Sequence, residues 1–142
     1  MIIRKLETND IKYIDEIADI YSKWWSTNNN IDEIKLDLIN SKNIIITKIL
    51  VDDSKLIGVI QLLLNDNISV LDYKPWLSNL YIKEEYRGNN LSSLLINDII
   101  NEAKEIGYKK IYLHSKHVNF YEKYGFSLFY VVDGKRVFYL DL

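Results

Sequence analysis

Two short stretches hold the residue types and spacings that could do chemistry. The first runs from Trp76 to Leu91 and reads as a strand, a tight polar turn and the start of a helix. Its turn is Arg87-Gly88-Asn89-Asn90, and no acidic side chain occurs over residues 86–97. Backbone N–H groups at such a junction point outward, and the helix dipole adds partial positive charge. Together they suit an anion, with a phosphate or pyrophosphate as the natural fit. The second stretch is Phe120-Tyr121-Glu122-Lys123-Tyr124-Gly125-Phe126. A phenol stays protonated near neutral pH and can donate its proton to a developing anion.

The run Tyr86-Arg87-Gly88-Asn89-Asn90-Leu91-Ser92 resembles the acetyl-CoA pyrophosphate loop of the GNAT superfamily of N-acetyltransferases, usually written Arg/Gln-x-x-Gly-x-Gly/Ala. The second stretch resembles the family's later Phe-Tyr-x-x-x-Gly-Phe element. The two stand in the family's order, one helix and one strand apart, and the likeness covers about residues 2–139. Asn90 stands where the family has Gly, and Ser92 where it has Gly or Ala. Asn enters the left-handed backbone region at modest cost, and Ser is small enough for close phosphate approach.

The resemblance implies a single N-acetyltransferase domain over residues 1–142 that moves acetyl from acetyl-CoA to a primary amine. It implies that Arg87, Gly88, Asn89, Asn90, Leu91 and Ser92 hold the pyrophosphate, mainly through main-chain N–H groups. It also implies that Leu80 and Ile82, on a splayed central strand, lend backbone groups to the pantetheine arm. His114 would contact the same arm or act as a base. Tyr121 would protonate the leaving thiolate, with Tyr124 or no essential acid as alternatives. The expected acceptor is a small-molecule amine such as a polyamine or an aminoglycoside. A protein N-terminus or lysine is the alternative acceptor, and a non-catalytic CoA-binding domain the alternative function.

Other candidates carry less signal. Residues 76–82 contain no carboxylate, so Asp72, Glu84 and Glu85 are the nearest candidate bases, beside a water relay or a deprotonated amine. Trp24, Trp25, Tyr73, Trp76 and Tyr130 could wall an amine pocket, because aromatic faces attract ammonium groups. Asp32, Glu33 and Asp72 could attract a cationic acceptor. Two histidines and no cysteine give no metal-ligand spacing, so no metal is expected.

The elements that must position these residues follow from periodicity and turn chemistry. Strands are expected over 2–6, 43–51, 55–64, 75–82, 109–113, 126–132 and 135–140. Helices are expected over 9–25, 31–40, 90–106 and 117–124. Asn30 with Glu33 forms a capping-box pattern, Gly107 a C-cap, and Asp133-Gly134 a hairpin turn. The final hairpin excludes a purely parallel sheet. The fold class is α/β (α+β): a mixed, mostly antiparallel sheet of six or seven strands, helices on both faces, and a splayed central strand.

Composition sets outer bounds. A net charge of −2 gives no general attraction to nucleic acid or anionic membrane. The absence of cysteine excludes disulfides and thiolate chemistry and fits a reducing compartment. The N-terminus lacks a signal-peptide pattern, so a cytoplasmic location is expected. The apolar strand at 137–140 is expected as an edge that could pair in a homodimer.

Overall fold

A seven-stranded sheet with helices on both faces organises the chain. The structure, a computed structural model, describes residues 1–25, 30–66 and 73–142. The elements are β1 (Ile2–Lys5), α1 (Ile11–Trp25), α2 (Ile31–Asn40), β2 (Ile44–Asp52), β3 (Lys55–Leu63), β4 (Trp76–Ile82), α3 (Ser92–Ile106), β5 (Lys110–Ser115), β6 (Ser127–Val132) and β7 (Lys135–Asp141). The sheet order is β1-β2-β3-β4-β5-β7-β6, with every pairing antiparallel except β4 with β5.

Local chemistry accounts for the element ends. The Asn30 side chain accepts a 2.8 Å hydrogen bond from the Glu33 N–H and starts α2. Asp53 and Ser54 take φ of 50° and 64°, and Asp133 and Gly134 take 51° and 74°, so both hairpins close on two left-handed residues. Gly107, at φ 111°, ends α3 by donating its N–H to the Ala103 and Lys104 carbonyls.

Side-chain alternation along the strands builds a core on each face of the sheet, with a third buried cluster of Leu63, Trp76, Tyr112 and Val137. Leu50, Ile57 and Ile60 pack with Leu95, Ile96, Ile99 and Ala103 of α3. Ile49, Val51 and Val59 pack on the other face with Ile14, Ile17, Ala18 and Tyr21 of α1 and Ile34 of α2. Ile96 and Ile100 of α3 are buried with this core, while Leu94 and Ile106 are exposed.

Two expectations are corrected. The helix expected over 117–124 is a bent loop followed by a single 3-10 turn, Glu122–Tyr124. Ser115 Oγ and a Glu122 carboxylate oxygen take the His117 and Asn119 N–H groups, and Asn119 sits at φ 63°, so helical bonding cannot begin earlier. The strand expected to offer a free edge, 137–140, lies in β7 and is paired on both sides; the edges are β1 and β6. Central pairing explains why Val137 and Phe138 are buried.

At Gly58, β3 lies close against both β4 and α3. A Cβ there would lie 2.6 Å from Ile82 Cδ1, 2.9 Å from the Tyr81 carbonyl oxygen and 3.1 Å from Leu95 Cδ1. Gly58→Ala is therefore expected to destabilise the protein by about 1–3 kcal/mol, read as a lower urea midpoint.

Candidate functional site

The site begins at a defect in the sheet. β4 and β5 are in register at Trp76 opposite Tyr112, where the Tyr112 N–H donates to the Pro75 carbonyl at 3.0 Å. Trp76 and Tyr112 rings pack 5.6 Å apart and seal this seam. No further β4–β5 register pair occurs among the described residues, so the strands diverge and the later part of β4 presents a free backbone edge. On its other side β4 pairs with β3 through an irregularity: Gln61 faces Ser78 and Val59 faces Tyr81, leaving Asn79 and Leu80 opposite Ile60. Such a two-against-one bulge re-aims the strand locally.

A buried polar chain fixes that bulge. Asn79 holds φ 54°, a left-handed conformation that Asn tolerates. The Tyr21 hydroxyl, wholly buried in α1, donates to the Asn79 carbonyl at 2.7 Å. Asn79 Nδ2 donates to Gln61 Oε1 at 2.7 Å, and Gln61 Nε2 donates to Thr47 Oγ1 at 3.1 Å. Burial raises the Tyr21 phenol well above its ordinary range, so it remains a donor.

A cleft of about 410 Å³ lies on one side of the splay, lined by Leu80, Tyr81, Ile82, Tyr86, Arg87, Gly88, Asn90, Leu91, Ser92, Trp24, His117 and Phe120. It contains all the residues expected to hold pyrophosphate and pantetheine except Asn89 and His114. Gly88 is at φ 86° and Asn90 at φ 58°, which turns the loop so that its N–H groups head the helix. Asn90 thus adopts the conformation that the family's Gly would supply. No side chain caps the N-terminus of α3, and the space beyond Gly88 is open. Arg87 donates from Nε to the Ile82 carbonyl at 2.8 Å, with its guanidinium 5.2 Å from the Tyr81 ring centre. Asn89 turns back to donate to the Tyr86 carbonyl at 3.2 Å. The loop therefore offers main-chain donors, one anchored cation and room, a set that fits a pyrophosphate.

A larger chamber of about 770 Å³ lies on the other side, and Trp24, Leu80 and His117 border both spaces. Tyr121 lines this chamber, its ring edge-on to Phe120 at 4.8 Å. Burial, with a smaller contribution from nearby Tyr124, pushes its phenol up to about 12. Tyr124 lines neither space, and its hydroxyl is buried without a hydrogen-bond partner among the described residues.

His114 opens on the larger chamber, with Nε2 3.1 Å from an Asp66 carboxylate oxygen. Sequence reasoning missed Asp66, which is 48 residues from its partner and belongs to no motif. Among the other candidates, Trp24 and Trp25 line the chamber, whereas Trp76 is core and Tyr73 stacks on Tyr112 at 4.9 Å. Asp37 lines the chamber in place of Asp32 and Glu33, which are exposed on the first turn of α2. Glu84 and Glu85 are exposed on a 3-10 turn. Asp72 and the side chain of Tyr130 lie outside the described residues. No group of three metal-ligating side chains occurs among the described residues, and no helix there is long and apolar enough to cross a membrane.

A splayed parallel pair, a left-handed turn leading into a helix and a Tyr beside the splay define the class of protein. The family model "Acetyltransferase (GNAT) family" matches residues 12–126, and the chain belongs to this family. Solved structures agree over nearly the whole length. An aminoglycoside 6′-acetyltransferase type Ii is similar with a TM-score of 0.79 and 21% identity, covering 99% of this chain and 97% of that one. The PaiA N-acetyltransferase of Thermoplasma acidophilum, in complex with coenzyme A, gives 0.73 and 22%, covering 99% and 98%. NAA60 of Arabidopsis thaliana, in complex with acetyl-CoA, gives 0.70 and 19%, covering 99% and 98%. These likenesses establish a shared fold. No curated protein matches the sequence.

The bulge supplies a direct test of the geometry. Tyr21→Phe removes the donor to the Asn79 carbonyl and should cost about 1–3 kcal/mol in urea unfolding. If this bond aims the free edge of β4, the variant should also bind acetyl-CoA more weakly by calorimetry.

Proposed function

We propose that residues 1–142 form one N-acetyltransferase domain that moves acetyl from acetyl-CoA to a primary amine by direct attack. The observation that carries this reading is the free edge of β4 running into the 87–92 turn, with Tyr121 on the far side of the same splay. Leu80 and Ile82 supply backbone groups to the pantetheine arm as an added strand would. The N–H groups of 88–92 and the Arg87 guanidinium hold the pyrophosphate. The thioester supplies the activated acetyl group, and a main-chain N–H at the bulge polarises its carbonyl.

Tyr121 supports the thiol leaving group. A phenol raised to about 12 is fully protonated at neutral pH and is a poor source of tyrosinate. Its role is to donate a hydrogen bond and then a proton to the developing thiolate. Direct attack leaves no acetylated enzyme, consistent with the lack of any cysteine.

A small-molecule amine is the favoured acceptor. The chamber's 770 Å³ falls in the range of small-molecule sites, and it joins Trp24 and Trp25 with Asp37 and Asp66. Aromatic faces with carboxylates nearby suit an ammonium group.

Thermal unfolding with acetyl-CoA, then release of free CoA thiol across an amine panel, tests the reading. Ligand at about 100 times its Kd should stabilise the fold by about 2.7 kcal/mol, a saturable shift of a few degrees. A shift without amine-dependent thiol release would contradict catalysis and favour a CoA-binding domain. Tyr121→Phe should keep the shift and lower kcat by about 100-fold, in line with the loss of a general acid. The phenol's position above neutral pH also gives a sign. Activity should show no basic limb from Tyr121 below about pH 11, and a limb near pH 8 that vanishes in Tyr121→Phe would refute the assignment.

A further inference from the structure

The larger chamber has a basic rim to which the acetyl-transfer chemistry assigns no task. Ser115, the last residue of β5, pairs with Arg136 of β7. One step further along that antiparallel register sets Lys116 beside Lys135. Arg136 Nη1 donates to the Lys116 carbonyl at 3.5 Å and ties the two chain segments together. Both lysines line the chamber, Lys135 half-buried and Lys116 exposed. Neither ammonium makes an ion pair or a hydrogen bond among the described residues.

The opposite end of the same two strands shows what a neutralised position looks like. There Lys110 of β5 faces Asp141 of β7, and its ammonium meets the carboxylate at 2.6 Å. At the chamber end a cation faces a cation instead. Like charges side by side on neighbouring strands repel, and an anion held between them relieves the repulsion. The remaining charged wall of the chamber has the other sign: Asp37 of α2 and Asp66 beyond β3 line it together with Trp24 and Trp25. One space therefore carries a carboxylate-and-indole wall and a paired-ammonium rim.

We propose that the acceptor carries an anionic group, a carboxylate or a phosphate, in addition to its amine, and that Lys116 and Lys135 bind that group. The assignment rests on the acetyltransferase reading above and narrows its acceptor to amines of mixed charge. Lysine ammonium groups act as mobile point charges and suit either anion. A polyamine would bring further ammonium groups against the same pair, and that repulsion disfavours it. Lys116 and Lys135 are thus specificity-determining residues, felt in acceptor binding more than in turnover.

Matched acceptors test the pair on the full chain. Propylamine is compared with 4-aminobutyrate, ethanolamine with O-phosphoethanolamine, and spermidine serves as the polycation. Wild type should favour at least one anionic member over its uncharged partner by about 10-fold in kcat/KM, mostly through KM. Which pair shows the preference distinguishes carboxylate from phosphate. Lys116→Gln combined with Lys135→Gln should abolish the preference and keep the acetyl-CoA thermal shift. Lys135→Glu should turn the preference toward spermidine. A wild type that favours spermidine or the uncharged members, or a preference unchanged in the double variant, overturns the assignment. Loss of the acetyl-CoA shift in the double variant would put the lysines on the cofactor and overturns it too. NMR titration of the CoA-bound protein with O-phosphoethanolamine and 4-aminobutyrate separates the two readings. Saturable shifts at Lys116 and Lys135 without acetyl transfer to any amine overturn the function reading alone. No shift at either lysine with either compound overturns the anion site.

Discussion

The hydrogen bond from the Tyr21 hydroxyl to the Asn79 carbonyl ties the helical layer to the irregularity in β4, the strand at the centre of the sheet. Asn79 sits in the left-handed region, and its side chain reaches Gln61. A non-Gly residue there persists because its neighbours over-determine it. The bulge displaces Leu80 from a regular ladder, while the Trp76–Tyr112 seam holds the other end of the strands together. Between a clamped end and a re-aimed end, β4 and β5 have to separate. Both cavities, and the free edge between them, follow from that separation.

Division of the space by β4 also divides the chemistry. On the side of the 87–92 turn the structure offers main-chain donors and the cation of Arg87, held by the Ile82 carbonyl. On the other side it offers aromatic rings, two carboxylates, two histidines, two lysines and the Tyr121 phenol. The two spaces thus differ in character on opposite sides of one strand, with Leu80 bordering both. Burial keeps the Tyr121 phenol protonated where it lines the larger chamber.

Much of this architecture was legible because its signals are local. Asn30 with Glu33, Gly107, and the Asp133-Gly134 turn each encode their own geometry, and the elements they bound appear where expected. Asn90 was legible for the same reason, since its side chain tolerates the left-handed turn. The 117–124 segment was misread because its spacing looks helical, while Ser115 and Glu122 claim the N–H groups a helix would use. Tyr21, Asn79 and Asp66 were invisible as site residues. Tyr21 reads as one more apolar position on α1, and its role depends on Asn79, 58 residues away. Asp66 acquires meaning only from His114 on β5. Long-range polar contacts of this kind leave no periodic trace in a sequence.

The central claim is that the free edge of β4 and the turn after it together receive acetyl-CoA. Backbone amide shifts recorded by NMR during an acetyl-CoA titration test it most directly. The account predicts saturable changes concentrated at Leu80, Ile82, Gly88, Asn89 and Ser92, with the β1–β2 pairing unaffected. Saturable changes confined to other surfaces, or none at millimolar acetyl-CoA, would contradict it.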